Sequence, residues 1–225
     1  GGIEHIGPAL YQLPQGMGST LKLKYFLSIG GWRDRAEAPR ILSLWHPILL
    51  KSCPTAEEQT FASIWPQAHF EVSMKNPDGW QVAAPGVHEG DRWNYIGTAF
   101  SAVFFKHGTL AFHQVGDQTL ISIAKSKGFD QLINFAKVAL DHFAKLTGKI
   151  QEQTILLVET DDFEPVRTPG LVTLNTPQQP AMRYLQQDLT HWNVWQLTLQ
   201  LAQQWYGLGC RAGTIDDHWL VQGLA

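Results

Sequence analysis

The chain has 225 residues, 44% hydrophobic and only 16% charged, with a formal net charge of −3. That length can bury a real core in one large domain or two small ones, and the weak negative charge gives no general attraction to nucleic acid or an anionic membrane. No apolar run reaches the roughly 18–20 residues of a membrane span. Gly1-Gly2-Ile3-Glu4-His5 lacks the basic start and apolar core of a signal peptide. A removed signal would leave no trace, so the compartment stays open. Cys53 and Cys210 lie far apart and outside any Cys-x-x-Cys pair, and we read them as buried free thiols. The nine Trp and eleven Phe read as core and groove lining.

Residues 1–20 are rich in Gly and Pro without a period, and read as a loop or arm. Leu21, Leu23, Tyr25 and Leu27 alternate with polar residues, as in a half-buried strand ended by Gly30-Gly31. Ile41 to Leu50, interrupted by Pro47, is an edge or extended segment, and residues 56–65 allow a short helical turn. Strands are predicted over 69–74 and 80–84, returning through Asn76-Pro77-Asp78-Gly79. Further strands are predicted over 99–105, 109–115 and 119–124. Beyond Gly128 the pattern changes. Apolar residues at 129, 132, 133, 136, 140 and 143 have helical spacing, and Gly148 supplies the stop. Strands at 154–159 and 170–174 follow, then a helix from about His191 to Tyr206 with Thr190 as N-cap and Gly207 as its end. A second helix starts near Asp216. The shift in composition near residues 118–128 divides the chain into regions 1–124 and 125–225.

The most specific pattern spans Leu199-Gln200-Leu201-Ala202-Gln203-Gln204-Trp205-Tyr206-Gly207 and, further on, Trp219-Leu220-Val221-Gln222-Gly223-Leu224-Ala225. It resembles the zinc site of the aminopeptidase N-like gluzincin metallopeptidases. These carry His-Glu-x-x-His-Gln-Trp-Phe-Gly and then the Glu of Trp-Leu-x-Glu-Gly-Phe-Ala. Eighteen residues lie between Gln203 and Gln222, the family's spacing without a gap. Upstream, residues 164–172 resemble the family's Gly-Ala-Met-Glu-Asn-Trp-Gly-Leu-Val edge strand, ending in Gly170-Leu171-Val172 with Arg167 where the amine-binding Glu stands.

The resemblance is strong after residue 165 and weak before residue 120. It implies an α+β fold: a β-rich N-terminal domain (1–124, part of a saddle-like β-domain), then the first part of a thermolysin-like α/β catalytic-type domain (125–225). Residues 70–84 would form a strand pair near the end of the first.

Zinc chemistry needs two imidazoles at i and i+4 on one helix face, a carboxylate from a following helix, and a Glu to take a proton from metal-bound water. Here the ligand positions hold Leu199, Gln203 and Gln222, and the base position holds Gln200. Leucine offers no donor atom, a carboxamide oxygen is a poor zinc ligand, and Gln200 cannot act as a base near neutral pH. Arg167 would repel a substrate ammonium. The expectation is a degenerate HExxH pseudoenzyme that retains no metal, cofactor or catalytic residue. It would act as a peptide- or protein-binding module, with Arg167, Gly170 and Leu171 as peptide-binding candidates. A transcription-factor subunit that reuses this scaffold as architecture is the precedent the resemblance supplies. Gln203 and Gln222 could bridge by amide–amide hydrogen bonds, with Leu199 filling the emptied metal space.

Two alternatives stand beside this reading. One is an active metallo-aminopeptidase with a displaced metal at His191 or His218. The other is a fragment whose missing C-terminal helical lobe, or self-association, would cover exposed apolar surface. Asp216, Asp217 and His218 read as a helix start, as do Asp188 and His191. His107 and His113 read as surface residues.

Overall fold

A computed structural model of the chain describes residues 4–7, 10–12, 39–43, 67–76, 78–126, 129–148, 150, 152–160, 167–175, 189–206 and 208. The chain divides into two units, Gly1–Gly31 and Trp32–Ala225. Within the first, β1 (Glu4–Gly7) and β2 (Leu10–Gln12) pair antiparallel with Glu4 opposite Gln12. This corrects the loop expected over residues 1–20. Strands of four and three residues are too short to show an alternating pattern.

The second unit is built of layers. Two three-stranded antiparallel sheets come first. One has the order β3 (Arg40–Leu42), β8 (Ala102–Phe105), β5 (Gln81–Ala83), and the other β4 (Ala68–Ser73), β7 (Arg92–Gly97), β6 (Val87–Glu89). Between them lies an aromatic core of Trp93, Tyr95, Phe100 and Phe104, with Phe70 and Trp80 packed against it. A mixed five-stranded sheet follows, in the order β12 (Arg167–Thr168), β13 (Leu171–Asn175), β11 (Thr154–Thr160), β10 (Gln118–Ala124), β9 (Thr109–Val115). The central pairs β13–β11 and β11–β10 are parallel and the outer pairs antiparallel. Helices α1 (Phe129–Thr147) and α2 (Leu189–Trp205) pack together on one face of this sheet.

This layering explains why residues 154–159 are apolar without alternation. Ile155 and Leu157 meet the helices, while Leu156 and Val158 meet Val103 and Phe105 on the opposite face. A strand covered on both faces has no polar side. The connection β10–α1–β11 returns a parallel strand through a helix, as parallel pairing requires. Buried Glu159 fixes its start, accepting from Lys125 N at 2.6 Å, Ser126 N at 2.8 Å and Ser126 Oγ at 2.7 Å.

The molecule is therefore sheet-rich with two described helices, compatible with a β-rich region followed by part of an α/β domain. The five-stranded sheet takes strands from both sides of residue 124. Four expectations need correction. The strands near 69–74 and 80–84 are not a pair: β4 joins β7, and β5 joins β8. Strand β7 was missed, although Trp93 and Tyr95 point inward between outward Arg92 and Ile96. The strand expected from residue 99 begins at Ala102. Thr190 lies inside α2, which starts at Leu189. The expectations over 21–28, 44–50, 56–65 and 209–225, with Cys53, Gly207 and Cys210, lie outside the described residues.

Candidate functional site

The C-terminal half of α2 carries the motif positions in two stripes. Leu197, Leu201 and Trp205 recur at four-residue spacing and bury themselves among α1 and the sheet. The indole of Trp205 donates to Gly148 O at 2.8 Å, tying the end of α2 to the stop of α1. Leu208 N donates to Gln203 O at 3.1 Å, the six-to-one return of a Schellman-type end.

Gln200 and Gln204, 4% and 5% exposed, form the neighbouring stripe one turn apart. Both grip the outer strands of the sheet. Gln200 Nε2 donates to Thr173 O at 2.9 Å, and its Oε1 accepts from Thr173 N at 3.3 Å. Gln204 Oε1 accepts from Gly170 N at 2.9 Å, and its Nε2 donates to Thr168 O at 3.4 Å. A carboxamide offers a donor and an acceptor side by side, which an ionised carboxylate does not.

The gripped segment is a tight hairpin, in which Thr168 pairs with Leu171 and Arg167 with Val172 across Pro169-Gly170. Gly170 has φ of 72°, as the third residue of a Pro-Gly type II turn requires. Its close surroundings add a second demand for glycine, since a Cβ there would stand 2.9 Å from Thr154 O. Leu156 N donates to Gly170 O at 2.8 Å, so both main-chain groups of Gly170 are engaged.

Gly170 and Leu171, expected to contact peptide, are both buried, with Leu171 packed among Val103, Phe105 and Leu156 on the sheet face opposite α2. Arg167 lies on β12, at the outer end of the strand order. Leu199 is half-buried. Gln203 is 7% exposed, and its Oε1 is the one buried side-chain polar atom without a hydrogen-bond partner among the described residues. His191 falls in α2, while Gln222, Asp188, Asp216, Asp217 and His218 lie outside the described residues.

These groups do not fit a divalent metal. Leu199 contributes carbon, both ends of the Gln200 carboxamide are committed to Thr173, and Gln203 offers a single neutral oxygen. Among the described residues no three His, Cys, Asp or Glu come together as metal ligands.

A second polar cluster supports the hairpin from the other side, and sequence reasoning did not find it. The Glu152 carboxylate, buried just before β11, accepts from the Tyr95 hydroxyl, from Thr98 N at 2.8 Å and from the Thr98 hydroxyl. Its Oε2 would lie 3.8 Å from a Cβ on Gly170. Burial first, and then the adjacent carboxylate, push the Tyr95 phenol far above its ordinary range. No spacing rule links residues so distant in the chain. The only signal was a charged residue immediately before an apolar strand. His113, read as a surface residue, is half-buried with Nε2 3.0 Å from the hydroxyl of buried Ser122. Burial, with Lys137 nearby, lowers its pKa.

No family model matches the chain, and no curated protein matches it. Among solved structures the chain is similar to an M1 zinc metallopeptidase from Deinococcus radiodurans, at 17% identity and a TM-score of 0.47. The alignment covers 71% of this chain and 39% of that one, so the chain spans well under half of that enzyme's length. The M1 enzyme is a distant structural neighbour.

Proposed function

We propose that the chain is a catalytically inert relative of the gluzincin aminopeptidases that serves as a peptide- or protein-binding module. The observation that carries the inert half of this reading is the double hydrogen bond between Gln200 and the main chain of Thr173. A base in this position must be free to take a proton from an attacking water. Here the side chain is neutral, buried and held at both ends. Its Nε2 donates to a carbonyl, a role a carboxylate cannot fill. The binding half is supported by the place of Arg167 on the outermost strand of the sheet. Gly170 and Leu171 then act as the floor of the hairpin rather than as contacts.

Elemental analysis of purified protein tests the reading together with an assay on unblocked aminoacyl anilides. The expected result is substoichiometric zinc, no chelator-sensitive hydrolysis, and measurable heat on titration with peptide. Tightly held zinc accompanied by turnover would refute it.

A further inference from the structure

We infer that the chain pairs with a second copy of itself along the outer edge of β9, about a two-fold axis at Phe112. This pairing stands whether or not the chain hydrolyses peptides. Among the described residues β9 ends the strand order of the five-stranded sheet, with β10 on one side and no strand on the other. Folded proteins blunt such edges with short strands, charges, proline or bulges, because an open ladder invites another strand. The other edges of the second unit are blunted: β12 has two residues, β5 and β6 have three each, β3 carries Arg40 and β4 carries Glu71. Strand β9 has none of these devices. Its seven residues, Thr109-Leu110-Ala111-Phe112-His113-Gln114-Val115, include no Asp, Glu, Lys, Arg or Pro, and its register against β10 is unbroken. At their midpoint Phe112 is 67% exposed.

The hairpin fixes which main-chain groups face outward. Gly116-Asp117 is a two-residue loop between the paired Val115 and Gln118, with Gly116 at φ of 58° as the hairpin turns of this length require. The closing pair of such a hairpin is hydrogen-bonded, and bonded and non-bonded pairs then alternate. Thr109, Ala111, His113 and Val115 therefore turn N–H and C=O toward β10, while Leu110, Phe112 and Gln114 turn theirs outward. About a two-fold axis at Phe112, that residue meets its own copy and Leu110 meets Gln114 of the second copy. About six main-chain hydrogen bonds then cross the contact.

The side chains match in the same register. Directly opposite residues share a face of the sheet, so the two Phe112 rings meet as a cross-strand aromatic pair, on the face where Leu110 packs. On the helix face Ala111 lies opposite half-buried His113, a small residue against a large one, and Thr109 lies opposite Val115. No like charges meet along the pair. A second copy also brings a strand already held extended by β10, and so avoids the ordering cost that a free peptide would meet.

Sedimentation of the full chain from micromolar to millimolar concentration reads the assembly. A monomer–dimer equilibrium is expected, with the mass stopping at twice the monomer because a two-fold contact closes on itself. Hydrogen exchange by NMR at both ends of that range reads the surface. The main-chain amides of Leu110, Phe112 and Gln114 are expected to exchange at least about tenfold more slowly in the dimer, while those of Ala111 and His113 stay protected in both states. Phe112→Lys is expected to weaken dimerisation at least about tenfold and to stay folded when dilute.

A chain that remains monomeric at millimolar concentration overturns the proposal. So does a dimer whose three outward amides stay unprotected, or one that Phe112→Lys leaves intact. Protection of those amides only on adding the unrelated peptide acetyl-Val-Thr-Val-Thr-Val-amide would make β9 a peptide edge and overturn the second copy as its occupant. The exchange measurement needs no variant, so it decides the matter even where Phe112→Lys fails to fold.

Discussion

Replacing the Gln200 carboxamide with a carboxylate, Gln200→Glu, should destabilise the fold in a pH-dependent way. The carboxamide nitrogen lies 2.9 Å from the Thr173 carbonyl oxygen. An ionised Glu would set a charged oxygen against that carbonyl at a site 4% exposed. The new carboxyl can escape by staying protonated, and a protonated carboxyl can again donate to Thr173 O. Holding it neutral costs about 1.36 kcal/mol per pH unit above its ordinary pKa of about 4.3. The ceiling on this charge penalty is therefore about 3.7 kcal/mol at pH 7 and about 1 kcal/mol at pH 5.

The direction follows from linkage. The pKa of the new carboxyl is raised in the folded state. The variant therefore keeps its full stability below the unfolded value and loses it as pH rises through the folded value. Urea unfolding at both pH values, referenced to wild type at the same pH, reads the difference. Gln200→Met serves as the control. It should cost about 1–3 kcal/mol for each Thr173 group left unpaired, equally at both pH values. A Gln200→Glu protein as stable relative to wild type at pH 7 as at pH 5 would refute the clamp.

The remaining expectations address the same hairpin from other sides. Gln204→Met frees Gly170 N and Thr168 O, and should lower unfolding stability by about 1–3 kcal/mol. Gly170→Ala places a Cβ 2.9 Å from Thr154 O at a positive φ and should cost about 1–3 kcal/mol, read as a shifted denaturation midpoint. Tyr95→Phe removes the phenol donor to buried Glu152 and should cost about 1.5–3 kcal/mol at neutral pH. Because the Tyr95 pKa is raised on folding, its contribution is intact below the ordinary phenol value of about 10 and is lost as pH rises above it. Wild type should therefore show a loss of stability above about pH 10 that is reduced in Tyr95→Phe.

Periodicity located the elements whose burial is simple. Helix α1 shows its stripe because one face meets the sheet, and β11 shows its unbroken run because both faces are covered. Strand pairing was less legible. Asn76-Pro77-Asp78-Gly79 reads as a hairpin turn, but β4 and β5 leave it for different sheets. Turn chemistry dictates only that the chain bends, while sheet membership depends on partners far away in sequence. The motif spacing singles out Gln200 and Gln203. It treated Gln200 as the remnant of a lost function, because hydrogen bonds to a main chain 27 residues earlier leave no spacing signal. The Glu152 cluster was invisible for the same reason, since Tyr95 lies 57 residues away.

The geometry of the clamp limits where any ligand can lie. Helix α2 runs opposite in direction to β13, with Gln200 bonded to Thr173 and Gln204 to Gly170. On one side β13 is paired with β11. On the other, β12 takes Leu171 and Val172, and the glutamines take Thr173 and Gly170. An extended peptide that added itself to β13 would have to compete for main-chain groups already held by two buried carboxamides. Strand addition of that kind is the standard route by which a sheet edge binds a peptide, and on β13 it is blocked between Gly170 and Thr173. A ligand that adds to this edge is left with the outer strand β12 at Arg167. The carboxamides of Gln200 and Gln204 thus close this stretch of the strand edge.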